Sequence, residues 1–172
     1  GDLNICSRAN GWNDVSNPFG CSMQCSPYGV QSATGSGTVF FSIPQGTITN
    51  IVAINQSSFP QQGLPNITFP HGFFSFTISN LPAGIGIPVV IQYPTNISSP
   101  SQYWKYGPTL ANTTPHWYNV SVGSDDGDNI ISINIIDGGL GDDDLTANGI
   151  IIEPGGIGLI ETECIGDVDG NG

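Results

Sequence analysis

The stretch Asn129-Ile-Ile-Ser-Ile-Asn-Ile-Ile136, followed by Asp137-Gly-Gly-Leu-Gly-Asp-Asp-Asp-Leu-Thr-Ala-Asn-Gly149, decides the fold. Ile131, Ile133 and Ile135 share one side and Ser132 and Asn134 the other. That period of two is the signature of a strand with one buried face. The glycines and aspartates that follow stop the strand, since they favour turns and positive φ.

Working outward, the same pattern recurs in short runs separated by turn formers. Phe74, Phe76 and Ile78 alternate with Ser75, Thr77 and Ser79. The strands expected are 38–43, 47–55, 66–69, 73–79, 87–93, 116–122, 129–136, 149–153 and 157–163. No window carries a helical apolar period, and prolines interrupt the places where one would begin. The expected class is all-β, an antiparallel two-sheet β-sandwich of jelly-roll or immunoglobulin-like type. Residues 1–33 read as a cysteine-containing N-terminal arm, 34–163 as the sandwich, and 164–172 as a tail with a calcium-loop pattern.

Charge narrows the partners. Fourteen acids stand against two basic residues, Arg8 and Lys105, for a net charge of −12. Nucleic acid is excluded as a partner by this balance, because phosphates need basic residues to neutralise them. No apolar run is long enough for a membrane span. The acids are clustered, and clustered carboxylates repel one another unless cations sit among them. Calcium takes 6–8 oxygen ligands in flexible geometry, which a Gly/Asp-rich loop can supply. The main candidate site is Asp137, Asp142, Asp143, Asp144 and Asn148. A second is Asp125, Asp126 and Asp128, at the opposite end of strand 129–136. A third is Asp167, Asp169 and Asn171, where Asp-Val-Asp-Gly-Asn-Gly matches the first half of an EF-hand-type loop.

The four cysteines, Cys6, Cys21, Cys25 and Cys164, lack the second close pair that a tetrahedral zinc site needs. They are expected to form disulfides, with the pairing open among three possibilities. Five Asn-x-Ser/Thr sequons, at Asn55, Asn66, Asn96, Asn112 and Asn119, are candidate glycosylation sites. Together these features point to an oxidising, extracellular setting. The polar opening Gly-Asp-Leu-Asn is expected to be that of a mature, processed chain.

Several segments resemble the choice-of-anchor U domain, a module of secreted and cell-surface prokaryotic proteins. They are Phe69-Pro-His-Gly-Phe-Phe-Ser-Phe-Thr-Ile, Gln102-Tyr-Trp-Lys-Tyr-Gly-Pro, His116-Trp-Tyr, and the run from Asp128 to Gly156. The resemblance spans about residues 35–158 and implies an extracellular β domain; it supplies no established catalytic residues. Residues 167–172 also resemble the opening of a dockerin-type calcium repeat.

No nucleophile–base pattern accompanies His71 and His116, so an enzyme is not expected. The aromatic groups Tyr103-Trp104-Lys105-Tyr106 and His116-Trp117-Tyr118 suit either packing on the sandwich or a sugar-binding platform. Lys105, the only lysine, is a candidate for an internal isopeptide bond with a buried Asp or Asn. The function expected is a calcium-stabilised structural subunit of the cell surface. It would self-associate into a filament or envelope layer, with the N-terminal arm as a candidate donor strand. The alternative is an adhesion or carbohydrate-binding module of a larger secreted protein.

Overall fold

The computed structural model describes residues 28–64 and 66–160. All four cysteines, Asp167, Asp169 and Asn171 lie outside these residues, as do most of the expected arm and the tail. Among the described residues there are eleven strands: β1 (Tyr28–Gln31), β2 (Thr38–Ser42), β3 (Thr47–Ile54), β4 (Ile67–Thr68), β5 (Phe73–Ser79), β6 (Gly86–Gln92), β7 (Ser101–Thr109), β8 (Asn112–Val120), β9 (Val122–Gly123), β10 (Ile130–Ile136) and β11 (Ile151–Ile160). They form two antiparallel sheets, with strand orders β1-β2-β6-β10-β9 and β3-β5-β11-β7-β8, and β4 pairs with β11. The β-sandwich expected from the alternating pattern is therefore the fold.

The alternation does what the period requires. From the first sheet Val39, Phe41, Ile87, Val89, Ile91, Ile131, Ile133 and Ile135 are buried. They pack against Ile48, Phe74, Phe76, Ile78, Tyr103, Ile151 and Ile157 of the second. At about 25 cal/mol per Å2 of apolar area, each such side chain contributes about 1.5–3 kcal/mol.

Three strand expectations change. Residues 28–31, read as part of the arm, form β1 and pair with β2. The two runs 149–153 and 157–163 are one strand, β11, which passes straight through Glu153-Pro154-Gly155-Gly156. Pro154 is tolerated there because of the side to which its nitrogen points. The Ile152 N–H, two residues earlier and so on the same edge, bonds to a loop carboxylate. The β7 ladder on that edge begins only at Gly155, so Pro154 owes it no donor. Strand β7, finally, was not anticipated at all.

The glycines of β11 are explained by what lies on each face. A Cβ on Gly156 would meet the Gly72 carbonyl at 2.5 Å, and one on Gly158 would meet Ile67 at 2.6 Å. This close approach lets the segment between β3 and β5 fold over the outer face of the second sheet. There Phe59, Phe69, Phe73, Tyr106 and Trp117 form an aromatic layer, with ring centroids 4.5–6.3 Å apart. The Trp117 indole N–H donates to the Pro60 carbonyl at 2.9 Å. Of the aromatics that suit a sugar platform, Tyr106 packs on Trp117 and His116 on Tyr118, while Tyr103 is buried in the sandwich.

Candidate functional site: a buried lysine between two carboxyls

Strand β7 alternates Ser101, Tyr103, Lys105 and Gly107 toward the interior with Gln102, Trp104, Tyr106 and Pro108 outward. Lys105 thereby enters the sandwich and is fully buried. In the neighbouring strand β11, Ile151, Glu153, Gly155 and Ile157 face the same way by the same period, and Glu153 is also fully buried. The register places Gly155 opposite Lys105. With no side chain at Gly155, the Tyr103 ring and the Glu153 carboxyl occupy the space (a Cβ there would lie 2.3 Å from the ring). The Lys105 ammonium donates directly to Glu153 Oε2.

The third member arrives from the loop between β10 and β11. The Asp143 N–H donates to the Ile152 carbonyl at 3.0 Å, and Ile152 N–H donates to Asp142 Oδ1 at 3.0 Å. These bonds pin the loop along the part of β11 that β7 does not cover. Asp143 then points inward, with Oδ1 3.7 Å from Lys105 Nζ. Its carboxyl rests over Gly107, where a Cβ would come within 2.7 Å of it.

One cation faces two carboxyls in a site walled by Tyr103 and Tyr118. Burial pushes the Glu153 carboxyl up to about 7, against the opposing pull of Lys105. Burial likewise raises Asp143, again opposed by Lys105. Among the described residues, five buried side-chain atoms lack a hydrogen-bond partner: Asp143 Oδ1, Glu153 Oε1 and the hydroxyls of Tyr93, Tyr103 and Tyr118. Desolvation, with the Glu153 charge adding to it, pushes the hydroxyls of all three tyrosines well above the usual phenol range and keeps them un-ionised. The unpartnered polar atoms thus collect around one cluster, in a fold where buried polar groups are ordinarily paired.

The remaining acids of the main loop behave differently. Asp137, buried at the end of β10, accepts N–H bonds from Gly84 at 2.6 Å, Gly149 at 3.0 Å and Asn148 at 3.4 Å. It fastens the β5–β6 turn to the end of the acidic loop. Asp142, also buried, accepts from Gly138 at 2.8 Å and from Ile152 and Asp144. Burial raises its carboxyl while these N–H bonds lower it. Asp144 accepts from Thr146 N–H and from the Asn148 amide, and Asn148 Oδ1 accepts from Ile150 N–H.

At the other end of β10, Asp125 accepts both the N–H and the hydroxyl of Ser101 at 2.9 Å. Asp126 and Asp128 close local turns, onto Asp128 and Ile130 N–H respectively. The two acidic groups do lie at opposite ends of β10. Among the described residues, no three His, Cys, Asp or Glu side chains converge so as to hold a metal ion.

Two other expectations have a structural position. The five sequon asparagines, Asn55, Asn66, Asn96, Asn112 and Asn119, are all exposed. His71 is buried, with Nδ1 2.7 Å from the Ser36 hydroxyl and its ring stacked on Tyr93. It joins the β1–β2 turn to the turn before β5. Among the described residues, no helix is long and apolar enough to cross a membrane. Compared with protein-family models, curated proteins and solved structures, the chain matches none.

The grouping of Glu153 and Asp143 around Lys105 was only partly visible in the sequence. The single lysine drew notice, but its partners lie 38 and 48 residues away. The usable signal was the i, i+2 pattern Tyr103, Lys105, Gly107 beside the Glu-Pro-Gly-Gly run, each with a glycine that clears space for a carboxyl.

Proposed function

We propose that this chain is a structural building block of an extracellular surface assembly, a rigid sandwich that associates with further copies of itself. The observation that carries the reading is the inward use of its polar side chains. Lys105, Glu153, Asp143, Asp137, Asp142 and His71 all make contacts that fasten one element of the sandwich to another. Rigidity of this kind suits a subunit that transmits load or resists proteases. Exposed sequons and an acidic surface with few basic residues are consistent with a location outside the cell.

Association by strand addition has edges to use, since β3 and β8 end one sheet and β1 and β9 the other. An unpaired edge presents N–H and C=O groups to a neighbouring chain. β8 and β3 are the long edges, at 9 and 8 residues, and Asn112–Pro115 of β8 is exposed.

Electron microscopy of the native material, with sizing of the purified full chain, tests the proposal. Ordered polymers are the expected result. A strict monomer that binds glycans on an array would replace it with the adhesion-module reading. Repeating the measurement with a chelator tests the calcium contribution expected from the acidic loops. Polymers that dissolve support it, and polymers that persist remove calcium from the reading.

A further inference from the structure

We infer that Lys105 and Asp143 become joined by an intramolecular amide bond, with Glu153 as the proton acceptor and donor of the reaction. Amide formation needs an amine, a carboxyl within reach, exclusion of water and a group to move protons. The cluster supplies each. Lys105 Nζ is fully buried, and Asp143 Oδ1 stands 3.7 Å away with no hydrogen-bond partner. Attack needs the reacting atoms at about 3–3.5 Å in a fixed orientation; the Nζ–Oδ1 separation puts the Asp143 carboxyl beside the amine, and bringing Cγ to that range takes an inward shift of the loop.

The roles of the two carboxyls follow from their contacts. Glu153 takes a hydrogen bond from the Lys105 ammonium. That contact lies along an N–H and serves proton transfer, whereas attack requires the nitrogen lone pair to face the carbonyl carbon. Asp143 makes no such bond and lies beside the nitrogen, which suits the electrophile.

The step balances without a co-reactant. Glu153 removes a proton from the ammonium, and the neutral amine attacks Cγ of Asp143 in its protonated form. A C–N bond forms. The C–O bond to one carboxyl oxygen then breaks, and the proton returned through Glu153 lets that oxygen leave as water. Overall the Lys105 ammonium, the Asp143 carboxylic acid and the Glu153 carboxylate give an amide, one water and the Glu153 acid, with nothing oxidised or reduced. The product removes a buried ion pair and leaves Glu153 as a neutral acid beside a neutral amide. This accounts for one cation being placed between two carboxyls in a dry site, where charge is costly.

The link would tie β7 to the loop between β10 and β11, across the part of the second sheet where the ladder between β7 and β11 is absent. It is independent of assembly, because the reacting groups belong to one chain.

The test is the intact mass of the full chain after reduction and removal of glycans, followed by fragment mapping. The expected mass is lower than that of the sequence by one water, and the fragments include a branched peptide joining Lys105 to Asp143. A full sequence mass overturns the proposal, and so does a branch to Glu153. Lys105→Arg keeps the charge but cannot form this bond, so it should show the full mass while retaining the wild-type β-sheet spectrum. Glu153→Gln should leave Lys105 and Asp143 unjoined. A Glu153→Gln chain that links as completely as the wild type overturns the role given to Glu153.

Discussion

Asp142 and Asp143 are neighbours in one loop, yet they meet opposite environments. Asp142 is wholly buried and surrounded by backbone N–H donors. Asp143, less buried, turns toward a lysine and keeps an unpartnered oxygen. Asp137 belongs with Asp142, and Glu153 with Asp143. An acidic cluster in sequence is therefore not one site. Carboxylates that receive two or three N–H bonds have their charge stabilised locally and hold loops in place. Those facing the lysine share one cation between two and retain chemical potential for something further.

The largest effect is expected from Lys105→Ala. Removing the cluster's cation leaves the buried Glu153 carboxyl and the partly buried Asp143 carboxyl without it, and breaking a buried pair costs about 3–5 kcal/mol. If the amide is present, its loss adds a similar amount, since a cross-link closing a loop of this length is worth about 4 kcal/mol. Denaturant unfolding should therefore show this as the most damaging of the substitutions considered. A loss below about 1 kcal/mol would mean that the cluster is solvated and does not fasten the fold.

On the satisfied side, Asp137→Ala should cost about 2–4 kcal/mol, because it orphans the N–H groups of Gly84 and Gly149. Asp137→Asn keeps one acceptor oxygen and should cost less, about 1–2 kcal/mol. If the Asn variant were as unstable as the Ala variant, the negative charge itself would be the essential feature. A calcium titration of both variants would then show whether a cation is what answers it.

Legibility in the sequence followed the same division. Strands with one apolar and one polar face, such as β5 and β10, announced themselves through their period. β7 did not, because Tyr103, Trp104 and Tyr106 put aromatics on both faces and Lys105 put a charge inside. Gly107-Pro108 also looks like a turn. β11 was split in two by Pro154 and its glycines, residues that ordinarily end strands. Here the glycines admit the Tyr103 and Phe73 rings, and the Pro nitrogen faces an edge without a ladder partner. The acidic loop was found where expected, but the direction of each carboxylate depends on long-range bonds such as Asp142 to Ile152 and Asp137 to Gly84. Nothing local encodes those.

Gly107→Ala sharpens the comparison from the side of space rather than charge. The added methyl would lie 2.7 Å from Asp143 Oδ1, so the carboxyl must move while Lys105 and Glu153 stay. Overpacking of this kind costs about 1–3 kcal/mol. The variant should also show the full sequence mass, since Asp143 is displaced from the amine. Retention of wild-type stability and of any amide link would show that the loop has another way to seat Asp143.

The smallest effect is expected at His71, a buried polar group that is neither stapled by backbone nor paired with a charge. Burial lowers its basicity from the usual 6.5, so the folded state holds it neutral beside the Ser36 hydroxyl and the Tyr93 ring. Between the lowered folded value and 6.5 the unfolded chain binds more protons than the folded one. Stability from this group is therefore present above pH 6.5 and declines as pH falls below it. The hydrogen bond to Ser36 is worth about 1 kcal/mol, which sets the scale of the loss. His71→Gln should flatten that part of the pH profile measured by thermal unfolding. An unchanged profile in His71→Gln would show that His71 is not the source of that slope.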